Sequence, residues 1–247
     1  MGRRSLSLAA LWVAVGISVA AADFWEDKPF RSWSGKDVEK MLTDSPWADE
    51  VAVSLPPRLR QSQGGGRGGG FSVAGPGGGG GGGGGGRNRF PGPRRVRMAV
   101  SWRSALPVKQ ALLREQIGEV DELSAENEEY LERDTGFYVI GVLGVPAQFA
   151  RIPTDEIRLE SFLKPKDKEP IPADDVLFQR AEDGLLLVMP GREQERGVSA
   201  ILLVAFSKIN PLILEDQEVE FIAKLGDFSI KKKFKLKDMV LQGELAL

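Results

Sequence analysis

Four short constellations in this chain have residue types that could do chemistry. Adjacent carboxylates occur at Asp155-Glu156 and at Asp174-Asp175. Two carboxyl groups flanking one bond are the acid and base of glycoside hydrolysis. Neighbours on a strand point to opposite faces, however, and both pairs sit beside turn-forming prolines. Solvated turn carboxylates are the simpler reading. The spacing Ser-x-x-Lys occurs at Ser161–Lys164 and Ser229–Lys232. In penicillin-binding enzymes that spacing puts the lysine beside the serine on a helix. Here both lie in strand-like sequence and no Lys-Ser/Thr-Gly follows, so the match is read as chance.

The missing residues exclude more than the present ones suggest. The chain has no cysteine and no histidine. Disulfides, thiol nucleophiles, thiolate or imidazole zinc sites and His-containing triads are all ruled out. A P-loop is absent, because Gly35-Lys36 is followed by Asp37. The polyglycine matches G-x-G-x-x-G trivially, without the strand-to-helix context that a dinucleotide needs. The acidic stretch 119–134 lacks EF-hand spacing. No cofactor and no metal site are expected. With 33 basic and 35 acidic residues and a net charge of −2, the chain is not a globally basic nucleic-acid binder.

Charge is nevertheless uneven. Between Glu50 and Glu115 every ionisable residue is basic: Arg58, Arg60, Arg67, Arg87, Arg89, Arg94, Arg95, Arg97, Arg103, Lys109 and Arg114. The stretch GGGRGGGF resembles an RGG box. Such a segment, with Phe71 and Phe90, can track a phosphate backbone and stack on bases, with strong salt dependence. A low-complexity expansion kept soluble by arginines is the plainer reading. Further on, Lys231, Lys233, Lys235 and Lys237 would project from one face of a strand. Together with Arg67, Arg87, Arg89, Arg94, Arg95 and Arg97 they form the candidate anion-binding surface. The alternative for the lysines is an edge strand protected against pairing. Lys232 falls on the apolar face, so either a bulge turns it outward or a carboxylate meets it.

The first residues look like an address. Arg3 and Arg4 precede an uncharged apolar run, Leu6 to Val19, and then Ala20-Ala21-Ala22. This is the layout of a secretory signal peptide cleaved before Asp23; an uncleaved anchor is the alternative. No cysteine follows for lipidation, and Leu8 spoils a twin-arginine motif. No second run is long and apolar enough to span a bilayer.

Between these features the elements can be placed. Ser34 and Asp37 form a capping box before a helix with Val38, Met41 and Leu42 on one face. Ser45-Pro46 ends it. Trp25, Phe30, Trp33 and Trp47 are read as aromatics stapling that helix to a sheet, rather than as a binding surface. Val51 to Leu55 is a first strand. Residues 58–93, with the unbroken run Gly77 to Gly86, cannot bury enough apolar surface to offset their entropy and read as a disordered loop within the domain. Val96, Met98, Val100 and Trp102 alternate with polar neighbours as a half-buried strand. Two helices follow within 107–134: Pro107 opens the first, Gly118 interrupts, and Val120, Leu123, Asn127, Tyr130 and Leu131 stripe the second, with Gly136 as its cap. The rest reads as strands: 137–145 (apolar on both faces, hence central), 157–163, 176–178, 185–189, 200–206, 219–223, 227–237 and a closing strand 240–247.

The expected fold is thus β-rich, an antiparallel β-sandwich or partly open barrel with a helical pair and a short N-terminal helix. Its segments are a signal peptide (1–22), a helix and first strand (23–57), an inserted Gly/Arg-rich loop (58–93) and the main body of the same domain (94–247). The elements SPW, SWRSALPVKQAL and FKLKDMVLQGELAL resemble a group of uncharacterised exported bacterial proteins. That resemblance implies export and a bacterial source and supplies no activity. The functional expectation is a non-catalytic envelope protein, periplasmic or secreted, that binds an envelope protein, polymer or anionic lipid surface. The rivals are a carboxylate-based hydrolase of an envelope polymer or glycan and an RGG-type nucleic-acid binder, the latter disfavoured by export.

Overall fold

The computed structural model describes residues 23–54, 95–119, 122–146, 153–180 and 199–247. Arg67, Arg87, Arg89 and Arg94, the leader 1–22, the Gly/Arg-rich stretch and the expected strand 185–189 lie outside them.

In chain order the strands are β1 (Asp44–Ser45), β2 (Ala48–Ser54), β3 (Arg95–Trp102), β4 (Phe137–Pro146), β5 (Phe162–Pro165), β6 (Ile171–Pro172), β7 (Asp175–Arg180), β8 (Ser199–Ser207), β9 (Glu218–Leu225), β10 (Phe228–Lys235), β11 (Val240–Leu241) and β12 (Glu244–Leu245). The helices are α1 (Phe24–Asp27), α2 (Gly35–Thr43), α3 (Leu106–Ile117), α4 (Ala125–Glu132) and α5 (Thr154–Leu159). One antiparallel sheet has the order β1-β2-β3-β4-β8-β7, and a second the order β10-β9-β5-β6. Neither closes into a barrel.

The sheets meet through their apolar faces. Val100, Val142 and Leu202 lie in register across β3, β4 and β8, as do Trp102, Ile140 and Val204, and all six are fully buried. The second sheet answers with Val219, Phe221, Ala223, Phe228, Ile230 and Phe234. Trp102 meets the Phe234 ring edge-on at 5.3 Å, and Phe206 meets Phe221 at 6.2 Å. Each such side chain contributes about 1.5–3 kcal/mol on leaving water.

The N-terminal aromatics belong to this core. Trp25, Trp33 and Trp47 are buried. The Trp47 indole N–H donates to the Ala246 carbonyl at 2.7 Å, tying the first strands to the last residues. Ser34 and Asp37 form the expected capping box: the Ser34 N–H donates to the Asp37 carboxylate at 2.9 Å, and the Asp37 N–H to the Ser34 hydroxyl at 3.3 Å. That backbone donor is the main reason the Asp37 carboxyl titrates below its ordinary value, with Lys28 adding to it.

Several expectations need correction. Ala99 and Ser101 are buried, so β3 is not half-exposed along its length; in register with Ser101 stands Gly141, over which Arg103 lies. Residues 157–163 are not one strand. Helix α5 comes first, opened by Pro153 and acidic in its first turn, and β5 starts only at Phe162. Gly136 does not cap α4, which ends at Glu132; it turns the chain into β4 with φ +72°. The final residues form a hairpin, β11–β12, and not a single closing strand. Gln242 and Gly243 both have positive φ (53° and 86°), as a tight two-residue hairpin turn requires.

The chain leaves β2 at Ser54 and re-enters at Arg95, and these two residues are direct cross-strand partners. The glycine-rich stretch therefore joins adjacent strands of one sheet.

Candidate functional site

Several sequence-selected charges turn out to be spent locally. Asp174 accepts the Ser207 N–H at 2.6 Å and Asp175 its neighbour Val176 N–H at 2.8 Å, both at the start of β7. Asp155 lies 3.7 Å from Arg158, one turn on along α5. Ser161 is buried and donates to the Ile157 carbonyl at 2.6 Å, whereas Lys164 is exposed on β5.

The candidate anion surface is not gathered in one place. Arg95 and Arg97 are exposed on β3, and Arg97 lies 3.8 Å from Glu50. Lys231, Lys233 and Lys235 do project from one face of β10, the edge strand of the second sheet. Lys233 lies 3.1 Å from Glu218 on β9. Lys237 is a correction to the comb: β10 ends at Lys235, and Lys237 sits in the 3₁₀ turn Leu236–Asp238. It borders a separate hollow with Asp23, Glu26, Lys40 and Asp44. Lys232 keeps strand register, since β9 and β10 pair without a bulge. Its ammonium reaches across the gap between the sheets to Asp49 on β2 and lies 5.8 Å from the Phe234 ring centre.

A different place collects cations. A cleft of about 700 Å³ opens between the start of α3, the end of α4, the start of β4, Lys208 and the β11–β12 hairpin. Arg103, Lys109, Arg133 and Lys208 line it, with Glu132, Asp134 and Glu244 as the acidic members. Its apolar wall includes Leu106, Tyr130, Phe137 and Val139. Tyr130 and Leu131 belong to the stripe read on the second helix. No residue of α4 is buried, and these two side chains line the cleft.

Each cation is placed by a different device. Lys109, on α3, donates to the carbonyls of Leu131 (2.8 Å) and Arg133 (2.9 Å). It thereby satisfies backbone acceptors at the end of α4, which otherwise have no partner in the helix. Burial lowers its pKa, and Lys208 and Arg133 lower it further, against Asp134. Lys208 lies 3.1 Å from Asp134, whose carboxylate also accepts the Gly136 N–H at 2.9 Å. That backbone bond, then Lys208, holds Asp134 below the usual carboxylate range. Arg133 pairs with Glu129 at 2.8 Å.

Arg103 is the exception. Its main-chain N–H donates to the Val139 carbonyl at 2.7 Å, fixing the backbone just beyond β3. Its side chain crosses β4 at Gly141: a Cβ there would stand 2.6 Å from Nε. No acidic group among the described residues lies within ion-pair distance of it, and its buried Nε has no hydrogen-bond partner. Tyr130 and Glu115 act on it only through space. Burial raises the Tyr130 hydroxyl, and Arg103 partly opposes this. Chemically the cleft offers a forked cationic donor beside an apolar wall.

Arg103 and Lys109 stand in the basic stretch between Glu50 and Glu115 but outside the candidate anion surface, and Lys208 belongs to neither. The one local signal is the place of Arg103, between a clear strand and a Pro-opened helix; the other cations of the cleft come from elsewhere in the chain.

Comparison of the chain with protein-family models, with curated proteins and with solved structures returns no match.

Proposed function

We propose that this chain is an exported, non-catalytic binding or assembly module of the bacterial envelope, working through the Arg103 cleft. The observation that carries the reading is the cleft itself: a concave surface pairing fixed cations with exposed apolar side chains. Sites of this kind use a few placed polar groups for orientation and an apolar wall for affinity. Export rests on the leader layout at 1–22 and on the resemblance to exported bacterial proteins. The absence of His and Cys from the sequence makes the binding reading simpler than the hydrolytic one. No helix among the described residues is long and apolar enough to cross a membrane.

The test is to express the tagged chain in a bacterial host, fractionate the cells and weigh the product. The reading expects an envelope-fraction protein beginning at Asp23 that retains an envelope component at moderate salt. An intact cytoplasmic product, or turnover of an envelope polymer lost when Asp134 or Glu244 is replaced, would contradict it.

A further inference from the structure

We propose that the cleft takes an amphipathic anion: an oxyacid head, carboxylate or phosphate, on an apolar stem. This rests on the reading of the cleft as a binding site and adds the chemistry of what fills it.

The state of the four cations selects the head. Lys109 directs two donors to backbone carbonyls, Lys208 is met by Asp134, and Arg133 by Glu129. Arg103 is left with a buried Nε that bonds nothing. That Nε is closed against β4 at Gly141, so the terminal N–H groups of the guanidinium, which meet no acceptor or acidic group among the described residues, are the donors that a ligand in the cleft can reach. A guanidinium presents its donors as a planar fork, which carboxylate and phosphate oxygens match in pairs. The side chain is also held in place, because it occupies the space that a Cβ at Gly141 would need. A glycine at a central strand position is otherwise unfavourable; here it makes room for the arginine.

The apolar wall selects the stem. Leu106 is 37% exposed, Tyr130 38% and Phe137 38%. All three line the same cleft as Arg103. A free inorganic anion would meet Arg103 and leave this wall wet. A neutral apolar molecule would cover the wall and leave the guanidinium without an acceptor. An amphipathic acid satisfies both.

The experiment is calorimetric titration of the purified protein with decanoate, decyl phosphate, inorganic phosphate and decanol. The account expects at least one of the two decyl acids to bind, and the tighter one identifies the head. Decanol and inorganic phosphate should bind at least about tenfold more weakly than that acid, each lacking one half of the recognition. Arg103→Met should weaken the acid at least about tenfold. Leu106→Glu, at the exposed first turn of α3 where an acidic residue suits the helix, should do the same without touching Arg103. It keeps the test decisive if Arg103→Met fails to fold. Equal binding of decanol or of inorganic phosphate overturns the proposal, as does acid binding unchanged in folded Leu106→Glu. If neither acid binds, the ligand class is wrong. The two failures then separate: an envelope component retained by the wild type and lost from Leu106→Glu leaves the binding module standing, and retention by both removes the cleft from either account.

Discussion

At the scale of single residues, the inward-facing Lys232 shows how a local rule is broken and repaired. Its strand alternates apolar residues inward, yet a lysine occupies one inward position beside Phe234. The position lies at the sheet edge, within reach of Asp49 on the facing sheet. Removing one partner of such a pair costs more than replacing the charge by an apolar group of similar length. Asp49→Ala should therefore lower stability by about 1 kcal/mol, a modest value because Asp49 is half exposed, while Lys232→Met should fall within about 0.5 kcal/mol of wild type. Urea denaturation decides it, and equal losses in the two variants would refute the asymmetry. Gly141→Ala makes a second prediction. The added methyl displaces Arg103, so stability should drop by about 1–3 kcal/mol and affinity for the decyl acid with it. Acid behaviour follows from Asp37 and Asp134, both depressed when folded. Each contributes stability that is complete above the ordinary carboxylate pKa and disappears as pH falls through the lower folded value. Asp37→Asn should thus be destabilised at neutral pH and lose less than wild type between about pH 5 and pH 2. Parallel stability curves for the two proteins over that range would contradict this.

At the scale of elements, the capping box is the simplest lever. Ser34→Ala should cost about 1 kcal/mol, read by thermal or urea unfolding, and Ser34→Asp should recover most of it. A neutral Ser34→Ala would mean that α2 is held by Val38 and Met41 alone. The same element shows what the sequence makes legible. A cap, an amphipathic face and a proline stop are local signals, and α2 follows them. The alternation in β3 and β10 is local as well, and so is the Pro107 start of α3. Helix α5 imitates a strand because Ile157, Leu159, Ser161 and Leu163 recur at every second position across its end and the start of β5. Its Pro153 start and its acidic first turn were the better guide. The cleft was not legible. Arg103, Lys109, Tyr130 and Lys208 come together only when β3, α3, α4 and β8 are packed, and no spacing in the chain encodes that meeting. The Lys comb failed for a related reason, since alternation does not announce where a strand ends.

At the scale of the whole molecule, two packed sheets carry a cleft on one side, and the direct pairing of Ser54 with Arg95 makes the stretch 55–94 a hairpin connection. Closure entropy grows only slowly with loop length. Replacing 55–94 by an Asn-Gly turn should therefore preserve the fold and raise stability by about 1–3 kcal/mol. That replacement also separates the two places where function could reside, the Arg-rich stretch and the Arg103 cleft. The most direct measurement is native mass spectrometry of the protein purified from the envelope fraction, run in parallel on wild type, Leu106→Glu and the hairpin replacement. The account predicts a bound envelope-derived species on the wild type and on the hairpin replacement, and its absence from Leu106→Glu. A species lost with the hairpin replacement and kept by Leu106→Glu, or no bound species on the wild type, would contradict it.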